Sequence, residues 1–165
     1  MVALAIFVTI LIISIALAYF ISLKTELLKY KTQISFKESM DLMELPIITL
    51  RHKGVKLNFL LDTGSNDSFI SSSAFDLLGV EGTDYSTGIA GHEGVIELVS
   101  KKININLRYK KYKYAAELIV SPTLDKSFAA LKEHNGVQIH GLLGTKFLEE
   151  HEYILDFAEL VARNK

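Results

Sequence analysis

The chain of 165 residues contains no cysteine, which excludes disulfides and cysteine-ligated zinc. It has no excess of either charge: 18 Lys and Arg stand against 19 Asp and Glu, a formal net charge of -1. No global field therefore argues for nucleic acid as a partner. The phosphate-cradling patterns GxxxxGK[ST] and GxGxxG are missing, so a bound nucleotide has no support. The histidines, His52, His92, His134, His140 and His151, are scattered, and "HEYIL" at 151 lacks the second histidine of an HExxH metal site. Neither a metal ion nor an organic cofactor is expected.

Charge is also missing from the first 23 residues, "MVALAIFVTILIISIALAYFISL", where Lys24 is the first charged side chain. This segment accounts for the positive mean hydropathy of +0.26. As a helix it would be about 33 Å long, enough for a bilayer core of ~30 Å. In lipid the backbone must satisfy its own hydrogen bonds, so a helix is expected. Residues 1–23 are read as a single transmembrane anchor in the lipid bilayer. The rival is a cleaved signal peptide ending near Ala16-Leu17-Ala18, but its basic n-region is missing. Lys24, Lys29, Lys31 and Lys37 follow the span, which by the positive-inside rule favours a cytoplasmic domain. Residues 24–44 mix charges with isolated apolar side chains and are read as a linker.

From residue 46 the pattern changes to period two. "IITLRHKGVKLNFLLD" reads as strand, turn at Lys53-Gly54, strand. "SSAFDLLG" reads as a short helix capped by Ser71 or Ser72 and stopped by Gly79. "DYSTGIAGHEGVIELVS" reads as a Gly-tipped hairpin, and 102–109 and "KYKYAAELIVS" as paired strands. "SPTLDKSFAALKEHNG" and "TKFLEEH" read as helices, and "YILDF" with "AELVAR" as a terminal hairpin. The expected fold class is all-β, with two or three short helices, over residues 45–165. "SKKININLRYKKYKYAA" interleaves Lys, Arg and Tyr, as an RNA-binding or headgroup-facing surface would. It equally suits strands with one wet face and lysine-protected edges, and that plainer reading is preferred.

The stretch "FLLDTGSNDSFI" (59–70) ends an apolar strand on Asp62 and turns at once. Gly64 permits a tight turn, Thr63 offers a hydroxyl to brace it, and Ser65 is placed to hydrogen-bond the outer carboxylate oxygen. "IHGLLGTKFL" (139–148) echoes it, an apolar strand running into a turn at Gly144, so the two read as halves of one pseudo-symmetric barrel. Such a carboxylate suits water-mediated peptide hydrolysis, which needs one group to activate water and another to protonate the carbonyl oxygen. Two carboxylates sharing a proton supply both.

"LLDTGS" with Phe69-Ile70, the hairpin tip "GIAGHEG", "GLLGTKFL" and "YILDF" together resemble the retropepsin-like aspartic proteases, most closely single-lobe bacterial members with an N-terminal membrane anchor. The resemblance spans roughly residues 46–157. It implies a closed acid-protease barrel with one lobe per chain. It also implies roles: Asp62, Thr63 and Gly64 as the catalytic turn, and Ser65, Asn66 and Asp67 beside the substrate. Ile89, Ala90 and Gly91 would form the tip of a flap, and Leu142 and Leu143 would sit behind the Asp62 turn and line a side-chain pocket. A second DTG-like triplet is missing, and Asp67, Asp76, Asp84 and Asp156 are badly placed to substitute. The partner carboxylate is therefore expected from a homodimer, with the site on its two-fold axis. The sequence departs from the family where viral members often pair an arginine with an acid, for Thr145 and Asn66 stand there. It also has Lys146 where many bacterial members have Asp. The tip carries His92 and Glu93, read as solvated loop residues. The expected activity is that of a membrane-anchored aspartic endopeptidase acting on peptide or protein, with no nucleic acid. The rival is an inactive module of the same fold that binds peptide or dimerises at the membrane.

Overall fold

Alternation of apolar and polar residues makes a strand half-buried, and here six such strands close on one another. The computed structural model describes the backbone of residues 2–28, 30–91 and 94–164, with side chains over 8–22, 30–86 and 100–164. Strands β2 (Ile47–His52) and β3 (Val55–Leu61) form the first hairpin. Its turn places Lys53 and Gly54 at φ 45° and 90°, as two-residue hairpins require. Ile48, Leu50, Leu57, Phe59 and Leu61 face inward and are buried.

After β3 the chain makes β4 (Phe69–Ser71) and the short helix α3 (Ser72–Leu78). Ser71 caps that helix by accepting the Ala74 amide at 3.2 Å, and Gly79 ends it in left-handed backbone, as the sequence predicts. A long hairpin follows, β5 (Thr83–Gly91) with β6 (Gly94–Tyr109), and β6 turns into β7 (Tyr112–Ser121). Helix α4 (Thr123–Asn135) stops at Gly136, φ 72°. Then come β8 (Gly141–Leu143) and α5 (Thr145–Glu150).

The seven strands β2 to β8 run in the order β2-β3-β8-β4-β7-β6-β5, and a pairing of Arg51 with Arg108 joins β2 to β6. That contact closes the sheet into a barrel, with β5 extending outward from β6. The interior is filled by Leu50, Leu57, Phe59, Ile103, Leu107, Leu118 and Leu143, all essentially inaccessible. The fold is mostly β, a closed barrel with few helices.

Residues 24–44, read from sequence as a linker, differ in the structure. β1 (Thr32–Ser35) pairs with β10 (Val161–Asn164), which pairs with β9 (Tyr153–Asp156), forming a second, three-stranded sheet. Ile34 and Phe36 are buried, and Phe36 lies 5.6 Å from the ring of Phe157. Helix α2 (Lys37–Met43) follows, a fourth short helix in place of the two or three expected. The physical reason is burial: Thr32, Ile34 and Phe36 alternate inward like any strand against the core.

The chain starts with helix α1 (Val2–Leu28), whose described large apolar side chains, Ile10 to Phe20 among them, are exposed. Its side chains are described over 8–22, and among the described residues no helix is long and apolar enough to cross a membrane. The span expected over residues 1–23 extends outside them.

Candidate active site

β3 and β8 lie side by side and parallel, with Leu60 opposite Leu142 and Leu61 opposite Leu143. The two echoing stretches of sequence are therefore neighbours in space. Each strand ends at the same level and turns away. The Asp62 amide donates to the Leu143 carbonyl at 3.0 Å, which pins the start of the first turn to the end of the second strand.

Asp62 is half-buried, and its Oδ1 accepts the Gly64 amide at 2.9 Å. This local bond fixes the carboxylate over its own turn. Ser65, expected to bond that carboxylate, instead donates to the Asp67 carbonyl at 2.8 Å, because the turn curls its hydroxyl forward. Thr63 is exposed, and its hydroxyl has no partner among the described residues.

The second turn locks onto the first through backbone. Thr145 N donates to Ser65 O at 2.8 Å and Lys146 N to Asn66 O at 3.1 Å. The Gly144 amide donates to the buried Ser68 hydroxyl at 3.0 Å. The approach is so close that a Cβ on Gly144 would run into the Asp67 carbonyl and come within 2.7 Å of the Ser65 carbonyl. Only glycine fits there. The packing of the second turn behind the first is as the resemblance implies, whereas the part of Ser68 has no counterpart in the sequence reading. The apolar-turn-Gly echo was the available signal.

The ion pair missing between positions 66 and 145 is replaced by another one residue further along each turn. Lys146 Nζ lies 2.6 Å from Asp67 Oδ1. The hydrogen bond to Asp67, followed by that carboxylate's charge, holds the Lys146 ammonium above its ordinary range. Thr145 Oγ1 also reaches the Asn66 side-chain oxygen at 3.5 Å.

His140, also unanticipated, stitches the strands from below. Its Nδ1 accepts the Asn58 amide at 3.0 Å, which requires the neutral ring with its proton on Nε2. Burial, aided by the charge of Lys132, holds its pKa below the usual histidine value.

Of the two leucines expected to line a pocket, Leu143 is fully buried in the core, so it packs the barrel and faces no substrate. Leu142 keeps a partly exposed face. Ile89, Ala90 and Gly91 end β5, opposite Ile96, Val95 and Gly94, so the hairpin expected as a flap is present in the backbone. The side chains over 87–99, with His92 and Glu93 at the tip, lie outside the described residues. Among the other aspartates, Asp41 pairs with Lys37, Asp67 with Lys146, Asp125 with the amides of Ser72 and Ser73, and Asp156 with Arg163. Asp62 is not among the walls of the cleft of about 430 Å³ beneath β1 and α2.

A family model described as "Aspartyl protease" matches residues 48–147, more than half of the chain. No curated protein matches. Among solved structures, "EIAV protease complexed with the inhibitor HBY-793" is 22% identical, with a TM-score of 0.45, over 67% of this chain and 90% of that one. The barrel, the single Asp62-Thr63-Gly64 turn and the matched span make this chain a member of the aspartyl protease family.

Proposed function

We propose that the protein is an aspartic endopeptidase, active as a homodimer and anchored to a membrane by residues 1–23. The observation that carries the catalytic reading is Asp62 itself. It stands half-buried at the end of a barrel strand, aimed by the Gly64 amide, and its carboxylate contacts no second aspartate among the described residues. A two-fold axis through this face brings Asp62 of a second copy to it and completes the site. The free Thr63 hydroxyls are then available to brace the paired turns beneath the carboxylates. Ser65, Asn66, Asp67, Ile89, Ala90, Gly91 and Leu142 border the substrate.

In the reaction, one ionised Asp62 takes a proton from water as its oxygen bonds to the scissile carbonyl carbon. The other, protonated Asp62 gives its proton to the carbonyl oxygen. Collapse of the tetrahedral diol breaks the C–N bond, and the leaving nitrogen takes up a proton from the pair. The flap hairpin excludes water from the closed site. For the anchor, the support is the uncharged run of 23 residues and the exposed apolar side chains of α1. Confinement in one bilayer raises the effective concentration of a weakly associating pair.

The test is a peptide-library digest by the full chain in detergent across pH 4–7, with Asp62→Asn alongside. Cleavage by the parent and a loss of about 10³-fold in the variant are expected. Cleavage that persists in Asp62→Asn removes the assignment. A chain that stays monomeric at high concentration and cleaves nothing is the inactive peptide-binding module instead.

A further inference from the structure

The barrel carries a row of like charges that no ion pair neutralises among the described residues. Lys56 on β3 is paired across the sheet with Arg51 on β2, Arg51 with Arg108 on β6, and Arg108 with Lys113 on β7. Cross-strand partners point to the same face, and all four side chains are exposed. Three strand spacings make the row about 14 Å long. Lys53 flanks it on one side and Lys110 and Lys111 on the other. Lys53 and Lys110 both hold left-handed backbone, φ 45° and 53°, where Gly or Asn sits more easily.

Like charges directly opposite each other destabilise a sheet. Among the described residues the ion pairs are Lys37–Asp41, Lys102–Glu117, Lys146–Asp67 and Arg163–Asp156, none of which involves the row. Arg51 donates instead to the Gly54 carbonyl at 3.1 Å. The nearby Glu117 is occupied by Lys102, while Glu150 borders the cleft beside Asn106 and Ala115. Protection of a free edge does not explain the row either, because it crosses the part of the barrel that is closed.

Its position supplies the explanation. The Tyr109 hydroxyl, beside the Lys110-Lys111 turn, donates to the Gln33 carbonyl on β1 at 3.4 Å. Gln33 is five residues from Leu28, the last residue of α1, a reach of at most ~18 Å. The basic face therefore lies close to where α1 leaves the domain. Asp62 is six residues along β3 from Lys56, about 20 Å away at the opposite end of the strand.

We propose that Lys56, Arg51, Arg108 and Lys113 form a membrane-surface dock that takes the anionic headgroups of the bilayer entered by α1, an inference that rests on α1 being the anchor. The headgroup charge relieves the repulsion within the row. Docking holds the barrel by its basic face and leaves the Asp62 end free for substrate.

The absence of cysteine allows a direct test. The full chain with Thr49→Cys, labelled beside the row on the outer face, is reconstituted into phosphatidylcholine vesicles with and without phosphatidylglycerol, each holding a headgroup quencher. Quenching should rise about three-fold with phosphatidylglycerol at ~0.1 M salt and fall back at ~1 M. The rise should vanish in the combined Lys56→Gln, Arg51→Gln, Arg108→Gln, Lys113→Gln variant, and survive Lys101→Gln with Lys126→Gln and Lys132→Gln. Equal quenching in both lipids overturns the proposal. So does a rise that survives the row variant, one lost equally in the control, or tighter binding of a random-sequence RNA than of phosphatidylglycerol vesicles. Flotation on pure phosphatidylcholine reports α1 alone. A chain that fails to float there yet still gains on anionic vesicles refutes the anchor and upholds the row.

Discussion

The two strand-and-turn stretches, 59–70 and 139–148, lie side by side in parallel register, yet they end differently. The first ends on a carboxylate that, among the described residues, bonds only within its own turn. The second ends on a glycine pressed against the backbone of the first. One turn presents chemistry and the other supplies packing. A lobe with this division of labour carries one carboxylate-bearing turn, because the second has no room for a side chain at Gly144.

Substitutions at the two glycines should separate these roles most sharply. Gly144→Ala forces a Cβ into backbone carbonyls, so a loss of about 3 kcal/mol in urea unfolding is expected. At Gly64 the added Cβ would stand 3.2 Å from Asp62 Oδ1, a flexible carboxylate rather than backbone. Gly64→Ala should therefore cost under about 1 kcal/mol while cutting cleavage severely. Equal stability losses at both positions would erase the distinction.

A smaller effect tests the stitch between the two stretches. His140 in the second accepts the amide of Asn58, the residue just before the first, and its folded pKa lies below the ordinary 6.5. The fold favours the neutral ring, so this contribution is complete above pH 6.5 and disappears as pH falls through the lower folded value. At pH 7.5, His140→Gln should lose about 1 kcal/mol, the worth of one hydrogen bond. That gap should narrow in melts below pH 6.5, and a pH-independent gap would show that the ring acts by packing alone. Smallest of all is the exposed Lys146–Asp67 pair. Lys146→Met should lower Tm slightly in dilute buffer and not at all near ~1 M salt.

Legibility in the sequence followed the range of the interaction. Turns at Lys53-Gly54 and Asn135-Gly136, and the cap at Ser71, depend on neighbours a few residues away and were readable. Asp62 was readable because an apolar strand ending in Asp-Thr-Gly is a local pattern. β1 was missed because Thr32 pairs with Asn164, and four residues of alternation are too few to outweigh the charges around them. The Lys146–Asp67 pair and the His140 stitch also join distant positions, so no local signal announced them. The basic row was visible as composition, but its alignment across four strands emerged only with the register.

The barrel is closed between β2 and β6 by one rung, Arg51 opposite Arg108, whereas the β2–β3 and β6–β7 ladders are long. Each hairpin is thus a stiff leaf, and the rung between them is the spine of a book. Thermal opening of the barrel should begin along that spine, with amides at Arg51 and Arg108 exchanging before those deep in either leaf. An anion bridging the two guanidinium groups would bind the spine shut, so the surface charge of a membrane would also set how readily the barrel breathes.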